Sequence, residues 1–408
     1  LDHFGEKLQF VTDLGKYAKG IPGFWAVDPT TFDDPEGFNR KAFNDIKKII
    51  APANSYTVTL DELSSYLVGN FVAGPVSGTL GVKVIESEVS ANVYQSTGVQ
   101  RAYGGSHYYT GRETNKKSRT DVLPSLNLAW DVTTDVKLRM SAAKNKQELD
   151  LFRYGSSLNV FTGPDPDDST QRIPSGWNSQ ADINLDPWLS TNYDISAEYY
   201  FGEASMFNVG AYLVEIESFV EQKESYIDVV SRGKTYNIKG DGPVVGKGGE
   251  VKGLELGAKV AFSDFTENFL SNFGVDVNYT YSPSERPGLA SDVTGEKYPF
   301  ANNSENTYNF IVWYQQDKLQ ARVAVNGRDD RFVQDYGPLN QAVFAKGTTY
   351  VDLNVSYDVV DDVTLYAQIA NLTSEDEKQV YRLAEGVEQA SFVYDNEARY
   401  SIGVRAKF

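Results

Sequence analysis

Cysteine is absent from the 408-residue sequence, and histidine occurs only twice. The lack of cysteine excludes disulfide frameworks, thiolate-bound zinc, iron–sulfur clusters and a cysteine nucleophile. His3 and His107 have no partner at the spacing of a metal site, and Ser106 lacks the Gly-x-Ser-x-Gly context of an activated nucleophile. The acidic stretch Gly163–Asp168 departs from calcium-loop spacing and is interpreted as a solvated loop. We therefore predict no catalytic residue, no metal site and no cofactor.

Basic residues and long apolar runs are also scarce. The sequence has 38 Lys and Arg residues against 56 Asp and Glu residues, a formal net charge of −18 at pH 7. This balance excludes nucleic acid as a partner, because phosphate recognition requires clustered basic side chains. No run of about eighteen apolar residues is present, so no transmembrane helix is available. The first ten residues lack the basic start and apolar core of a signal peptide.

What the sequence does contain is an alternation of apolar and polar residues with a period of two, which is typical of β-strands. The last segment shows it best, because Tyr400, Ile402, Val404, Ala406 and Phe408 share one face. The 34 Gly, 26 Tyr and 22 Phe residues suit pleated strands and their turns. The pattern predicts thirteen strands, at residues 54–72, 78–95, 117–130, 134–146, 190–202, 206–220, 248–263, 271–283, 303–316, 318–330, 348–358, 362–372 and 397–408.

The connections between these predicted strands alternate between short and long. Short connections lie near residues 74–77, 131–134, 202–205, 264–270, 316–317 and 359–361, and the long ones lie between them. Outer-membrane barrels have this asymmetry, with short periplasmic turns and long extracellular loops. The predicted fold is therefore all-β, an antiparallel transmembrane β-barrel whose last strand runs toward the periplasm. A soluble sandwich of two packed sheets is the alternative.

Several stretches resemble the TonB-dependent receptors, a family of gated uptake ports in Gram-negative outer membranes. The stretches are Leu123-Pro-Ser-Leu-Asn-Leu-Ala-Trp130, Leu185-Asp-Pro-Trp-Leu-Ser-Thr-Asn-Tyr-Asp194, Val251-Lys-Gly-Leu-Glu-Leu256, Tyr350-Val-Asp-Leu-Asn-Val-Ser-Tyr357, Ile369-Ala-Asn-Leu-Thr373 and the final ten residues, 399–408. The resemblance runs from about Tyr56 to Phe408. Its specificity comes from the order and spacing of the stretches together.

The resemblance implies a barrel of 22 strands that is filled by an N-terminal plug domain. Residues 54–408 would then be the C-terminal strands of a partial barrel, and residues 1–53 would be mainly an extracellular loop after a missing strand. The implied partners are TonB, acting through the missing plug, the outer-membrane lipid and the barrel assembly machinery. For that machinery, the C-terminal signal would comprise Tyr400, Ile402, Val404 and Phe408.

Aromatic and polar residues of the long loops are the candidate ligand-binding residues, since sugars stack on aromatic rings and take hydrogen bonds from polar neighbours. They are Phe24, Trp25, Tyr103, Tyr108, Tyr109, Arg153, Arg172, Trp177, Asp182 and Tyr336. The alternative is that these aromatic residues pack the loops onto one another. If Trp177 contacts ligand, its replacement by alanine should weaken binding without loss of folding.

The function implied by the resemblance is active import of a bulky nutrient, not enzyme catalysis. The stretch that begins at Leu185 resembles a branch of the family linked to carbohydrate uptake, so an oligosaccharide is the first expected ligand. A ferric siderophore is the second. Two other classes remain open: a passive porin without a plug, and a soluble secreted carbohydrate-binding β protein.

Overall fold

The computed structural model describes residues 8–11, 23–28, 30, 33–34, 37, 40, 55–95, 111–155, 158–287, 290–291, 295–334, 341–384 and 386–407. Strands are numbered β1 to β23 in chain order, and the helix α1 spans Phe152–Gly155. None of the helices in these ranges is long and apolar enough to cross a membrane. The strands β1 (Leu8–Val11) and β2 (Phe24–Val27) pair with each other in a separate sheet.

Among the described residues, thirteen strands form the wall of a barrel. Their bounds are β3 (Thr57–Ala73), β4 (Val76–Gln95), β5 (Gly111–Asp131), β6 (Val136–Gln147), β9 (Trp188–Phe201), β10 (Ser205–Ser231), β12 (Glu250–Ala261), β13 (Phe273–Tyr281), β15 (Asn306–Gln316), β16 (Leu319–Arg328), β19 (Thr348–Val360), β20 (Val363–Ala370) and β23 (Arg399–Ala406). Each strand pairs antiparallel with the next one along this series. The predicted all-β antiparallel fold and the order of its strands are confirmed.

The pairing register separates an apolar face of the wall from a polar one. One row of paired residues, crossing β13, β15, β16, β19, β20 and β23, reads Val275, Val312, Val323, Leu353, Ile369 and Tyr400. The adjacent row reads Gly274, Trp313, Arg322, Asn354, Gln368 and Ser401. Successive side chains of a strand point to opposite faces. The first row therefore faces lipid, and the second faces the lumen.

The long connections contain strands that the sequence pattern did not predict. In chain order these are β7 (Asn159–Pro164), β8 (Arg172–Asn178), β11 (Lys234–Lys247), β14 (Ser284–Glu285), β17 (Arg331–Gln334), β18 (Ala342–Ala345), β21 (Glu377–Ala384) and β22 (Val387–Tyr394). Strand β10 continues beyond the wall to pair with β11, and β17, β18, β21 and β22 form a four-stranded sheet. This sheet joins two different loops, so periodicity within either loop could not indicate it.

The first and last wall strands, β3 and β23, are unpaired edges: no residue pairing joins them among the residues that the structure describes. Outward side chains at these edges are also more exposed than those on inner strands: Ile402 of β23 is 90% exposed, whereas Val323 of β16 is 40% exposed. The barrel is therefore partial, as the resemblance implied.

Glycines lie directly opposite aromatic residues at several places in the wall and its extensions. The pairs are Gly78–Phe71, Gly246–Phe219, Gly253–Tyr212, Gly274–Trp313, Gly327–Tyr308 and Gly403–Tyr366. In each pair the ring lies over the glycine, and a Cβ atom there would stand 1.9–2.7 Å from the ring atoms. Aromatic side chains that cover cross-strand glycines shield the backbone and help to set the strand register.

The pair Gly327–Tyr308 provides a test of this packing. The substitution Gly327→Ala places a Cβ atom 2.1 Å from Cζ of Tyr308, so the ring must swing away from Thr349, whose hydroxyl is 3.0 Å from the tyrosine hydroxyl. We expect a loss of about 1–3 kcal/mol in the free energy of unfolding of the detergent-solubilised protein. The control is Gly69→Ala, because no atom lies within 4 Å of that position. Equal stability of the two variants would contradict the prediction.

Candidate functional site

The loop between β6 and β9 folds back against the inside of the barrel wall. Val89 of β4 forms a buried apolar cluster with Leu149, Tyr154 and Leu185 of this loop. Helix α1 is held by a hydrogen bond from the backbone N–H of Asp182 to the carbonyl oxygen of Arg153, at 2.9 Å. Burial is the main cause of a raised pKa of the Tyr154 hydroxyl, and the negative charge of Glu148 adds to it. Tyr154 therefore stays neutral.

A buried ionic cluster fixes the same loop to three wall strands. The ammonium group of Lys146, whose side chain is 3% exposed, lies 3.1 Å from a carboxylate oxygen of Asp121 and 3.2 Å from one of Glu62. It also contacts Glu148 of the loop, and it donates to the hydroxyl of Ser87 at 3.0 Å. Because the Asp121 side chain is itself only 5% exposed, each charge depends on its partners for the solvation that water would supply.

A break in the wall makes room for this cluster. The pairing between β5 and β6 stops at Ser125 and Ala143, although both strands continue toward the loops. Next to this point lies Pro124, which has no backbone N–H to continue a ladder. Beyond the break, Lys146 and Asp121 bridge the two strands with their side chains instead.

The stretch that resembles the carbohydrate-uptake branch also serves the loop anchor. Leu185 is buried in the apolar cluster, and Asp186 accepts contacts from Lys117 at 2.9 Å and from Arg119 at 2.8 Å. The carbonyl oxygen of Pro187 accepts a hydrogen bond from the Ser218 hydroxyl at 2.7 Å. The contacts of this stretch therefore fix the loop to β5 and β10.

Trp177 lies in a second apolar cluster, which joins two loop hairpins. It packs with Val160, Val229 and Ile238, and it is 8% exposed. Its ring lies over Gly240, where a Cβ atom would be 2.3 Å from the ring, and its Nε1 donates to the carbonyl oxygen of Ser225 at 3.3 Å. These contacts correspond to the alternative in which loop aromatic residues pack the loops together. A contact between Trp177 and ligand stays a prediction.

A third cluster stabilises the four-stranded loop sheet. Its buried aromatic members are Tyr298, Phe332 and Phe344, with the guanidinium of Arg382 3.6 Å from the centroid of the Phe344 ring. Lys346 lies 2.7 Å from a carboxylate oxygen of Asp330 and 3.1 Å from one of Glu388. The hydrogen bond to Asp330 is the main cause of a raised pKa of the Lys346 ammonium group, and the hydrogen bond to Glu388 adds to it. Lys346 therefore stays charged.

The predicted ligand residues are spread over several segments outside the wall strands, which we call the loop layer. Phe24 and Trp25 lie on β2 and are exposed, at 52% and 62%, with the Trp25 ring 5.3 Å from that of Phe10. The structure brings Arg153 and Asp182 together through the backbone. Arg172 is exposed and donates from Nε to the Thr162 hydroxyl at 3.1 Å. The remaining four, Tyr103, Tyr108, Tyr109 and Tyr336, lie outside the described residues.

The lumen-facing rows line an open polar pocket of about 860 Å³ toward the short-turn end. Its charged lining includes Lys259, Asp276, Arg322, Asp358 and Arg405. Further around the wall, Nε of Arg139 lies 2.7 Å from a carboxylate oxygen of Glu198. Arg139 and Glu198 thus form an ion pair on the inside of the wall.

The final strand carries three of the four residues of the predicted C-terminal signal. Tyr400, Ile402 and Val404 share one face of β23 and are exposed, and they pair with Ile369, Ala367 and Leu365 of β20 in that order. Phe408 lies outside the described residues. Recognition of this strand by the assembly machinery stays a prediction.

Sequence reasoning missed the ionic cluster around Lys146. Its members Glu62, Asp121 and Lys146 come from β3, β5 and β6, so nothing in their local sequence pairs them. One signal was present: Pro124 interrupts a predicted wall strand at a point where the neighbouring strand carries Lys144 and Lys146. A proline in a central strand indicates that a ladder ends there.

The substitution Lys146→Met tests the anchoring role of the cluster. It leaves Glu148 without its cation and leaves Asp121 with Arg119 alone, whose Nε is 2.6 Å from the carboxylate, and we expect a loss of about 3–5 kcal/mol in the stability of the anchored loop. The measurement is the rate of protease cleavage within residues 148–187 on intact cells. The control is Lys252→Met, because that lysine and its partner Glu250 are 60% and 53% exposed; such a pair contributes about 0–1 kcal/mol. Equal cleavage of both variants would contradict the prediction.

Comparison with known proteins agrees with this architecture. The family model described as TonB dependent receptor-like, beta-barrel, matches residues 3–372. No curated protein matches the chain.

Several solved structures share the fold. The siderophore receptor PiuA from Acinetobacter baumannii is 16% identical, with a TM-score of 0.55, over 86% of this chain and 44% of its own. The ferric-catecholate import receptor Fiu from E. coli K12 is 13% identical, with a TM-score of 0.57, over 86% and 45%. The ferric enterobactin receptor PfeA from Pseudomonas aeruginosa, in complex with BCV-L6, is 15% identical, with a TM-score of 0.55, over 86% and 55%.

At these identities the structural likeness shows the fold alone, and the chain spans about half the length of the receptors that it matches. The family match covers most of the sequence, and the antiparallel wall with long extracellular loops is the architecture of that family. The chain therefore belongs to the TonB-dependent receptor β-barrel family, and its place is the outer membrane of a Gram-negative bacterium.

Proposed function

We propose that the chain is part of a TonB-dependent importer that takes up a ferric siderophore. The observation that carries the proposal is the family match over residues 3–372. The ligand class is supported by the solved structures with the same fold, which include PiuA, Fiu and PfeA, named as siderophore or ferric-catecholate receptors. No step of the proposed process requires enzyme catalysis.

The structure weakens the argument for an oligosaccharide as the first ligand. The stretch beginning at Leu185 is the one that resembles the carbohydrate-uptake branch, and in it Leu185 is buried and Asp186 is bound by Lys117 and Arg119. These contacts have a structural role, since they hold the loop against the wall, and they do not require a ligand. An oligosaccharide remains the second candidate, because Phe24 and Trp25 are exposed aromatic residues on which a sugar could stack.

In the proposed mechanism, the loop layer binds the ligand from outside and the polar lumen lies on its path. The three loop clusters hold the hairpins in one arrangement, so exposed side chains between them are positioned before the ligand arrives. TonB supplies energy by acting on a plug domain inside the wall. Lumen residues such as Arg322 and Arg405 would hydrogen-bond that plug.

Regulation by iron provides the first test. We expect the abundance of this protein in outer membranes to rise when cells are starved of iron, because a ferric siderophore importer is needed when iron is scarce. Its abundance should not depend on the oligosaccharide supplied. The measurement is quantitative mass spectrometry of outer membranes from both growth series. Induction by one sugar and indifference to iron would overturn the siderophore assignment and move the oligosaccharide to first place.

Binding by the purified, full-length receptor separates the ligand classes directly. The receptor would be titrated by isothermal calorimetry with ferric catecholate and ferric hydroxamate siderophores and, separately, with a panel of oligosaccharides. A porin without a plug would bind none of them tightly, and its gene would encode no plug upstream of the barrel.

Two tryptophans in the loop layer should respond differently to replacement. The substitution Trp25→Ala removes an exposed ring, and we expect a loss of about 0.5–1.5 kcal/mol in ligand binding with unchanged protease resistance. By contrast, Trp177→Ala empties a buried site, and we expect loop packing to weaken by about 3–5 kcal/mol, with faster protease cleavage. Unchanged affinity in the Trp25 variant would remove that residue from the site. Unchanged protease resistance in the Trp177 variant would contradict its packing role.

A further inference from the structure

The connection between β12 and β13 differs from the other short turns of the barrel. The others, at residues 74–75, 132–135, 202–204, 317–318 and 361–362, contain two to four residues, whereas this one spans residues 262–272. It contains two 3-10 turns, Phe262–Asp264 and Phe269–Asn272. Its side chains Phe265, Phe269 and Leu270 are 64%, 63% and 52% exposed. A periplasmic turn with three exposed large apolar side chains requires an explanation.

The aromatic rings of this turn continue the lipid-facing surface of the wall. The Phe269 ring lies 5.5 Å from that of Phe273 and 5.8 Å from that of Tyr314. Phe273 and Tyr314 are paired across β13 and β15, on the same outward face as Val275 and Val312. The apolar surface of the barrel therefore extends without interruption from the wall onto the turn.

Phe265 makes the same connection on the other side of the turn. Its ring lies 6.2 Å from that of Phe201, which in turn lies 5.6 Å from Tyr199 on the outward face of β9. Exposed carboxylates such as Glu267 and Glu203 accompany the rings in this region. Aromatic residues at the rim of a transmembrane barrel are typical of the boundary between acyl chains and water.

The carboxylate of Asp264 holds the turn in place. It accepts hydrogen bonds from the backbone N–H groups of Glu203 at 3.0 Å and Ala204 at 3.2 Å, and from the hydroxyl of Ser205. The adjacent Gly202 has φ +76°, and a Cβ atom there would lie 2.4 Å from the Asp264 carboxyl carbon. Within the turn, the Asn268 side chain accepts from the backbone N–H of Leu270 at 2.9 Å. The two neighbouring turns are thus tied together, and the positions of the rings follow from this contact.

We propose that residues 262–272 form an interfacial anchor that inserts Phe265, Phe269 and Leu270 into the phospholipid leaflet on the periplasmic side. Lipid is the occupant because the turn's rings are continuous with the surface that already faces lipid. Asp264 is the positioning residue of the anchor. The inference is independent of which ligand the receptor imports.

Site-directed spin labelling of the full receptor in phospholipid vesicles tests the anchor. This chain has no cysteine, so Phe269→Cys provides a labelling site once any cysteine elsewhere in the receptor is replaced by serine. We expect the label at position 269 to be relaxed more by oxygen, which dissolves in acyl chains, than by a water-soluble nickel chelate. The matched control is Lys318→Cys on the next short turn, where the nickel chelate should dominate. Nickel dominance at both positions would overturn the proposal.

A second pair of variants separates anchoring from a folding defect. The label at Phe265→Cys should report the same lipid environment as the label at position 269. Addition of Asp264→Ala to either labelled variant should shift the label toward water, while the barrel still migrates as a folded species on an unheated gel. A label that stays in lipid without Asp264 would remove the positioning role. Labels at both positions shielded from oxygen and nickel alike would indicate a protein partner and overturn the lipid assignment.

Discussion

Backbone hydrogen bonding between neighbouring strands is the constraint on which the rest of this structure depends. Inside a bilayer an unpaired backbone N–H or C=O group costs several kcal/mol, which favours continuous pairing between neighbouring wall strands. That pairing permits a single register, because a shift by one residue would turn the row of Val275, Val312 and Val323 toward the lumen. The opposed Gly–aromatic pairs reinforce this register, since a ring such as that of Trp313 fits only where its neighbour lacks a side chain.

Where backbone pairing between β5 and β6 stops, an ion pair between side chains connects the two strands instead. The ladder between β5 and β6 ends beside Pro124, and Lys146 bridges the gap to Asp121 and Glu62 while also holding Glu148 of the loop. A group of charges in a buried place is costly unless every member is paired. This cost makes the position of the loop specific, because few other arrangements of residues 148–187 could satisfy the same carboxylates. The rigid wall thereby determines where the loop layer begins.

The wall could be predicted from the sequence, whereas the loop layer could not. A strand with one face in lipid shows its period of two locally, so all thirteen strands were found from patterns such as Tyr400, Ile402 and Val404. Loop strands such as β18 are too short to show a period, and their partners lie in other loops. The ionic cluster is even harder to predict from the sequence, because Lys146 and Glu62 are 84 residues apart in the chain. Among the candidate ligand residues, composition and loop position indicated aromatic residues, but only packing separates Trp177 from Trp25.

Burial changes what an aromatic residue in such a loop layer can contribute. A ligand gains binding free energy only from surface that the protein leaves exposed. The ring of Trp177 is already covered by Val160, Val229 and Gly240. The contacts that the structure shows for Trp177 hold two hairpins together, and they thereby position exposed groups elsewhere in the loop layer. The same reasoning applies to Leu185 and Asp186, whose contacts lie within the protein. Under the proposed import function, the exposed residues of the loop layer, such as Trp25, are the first candidates for ligand contact.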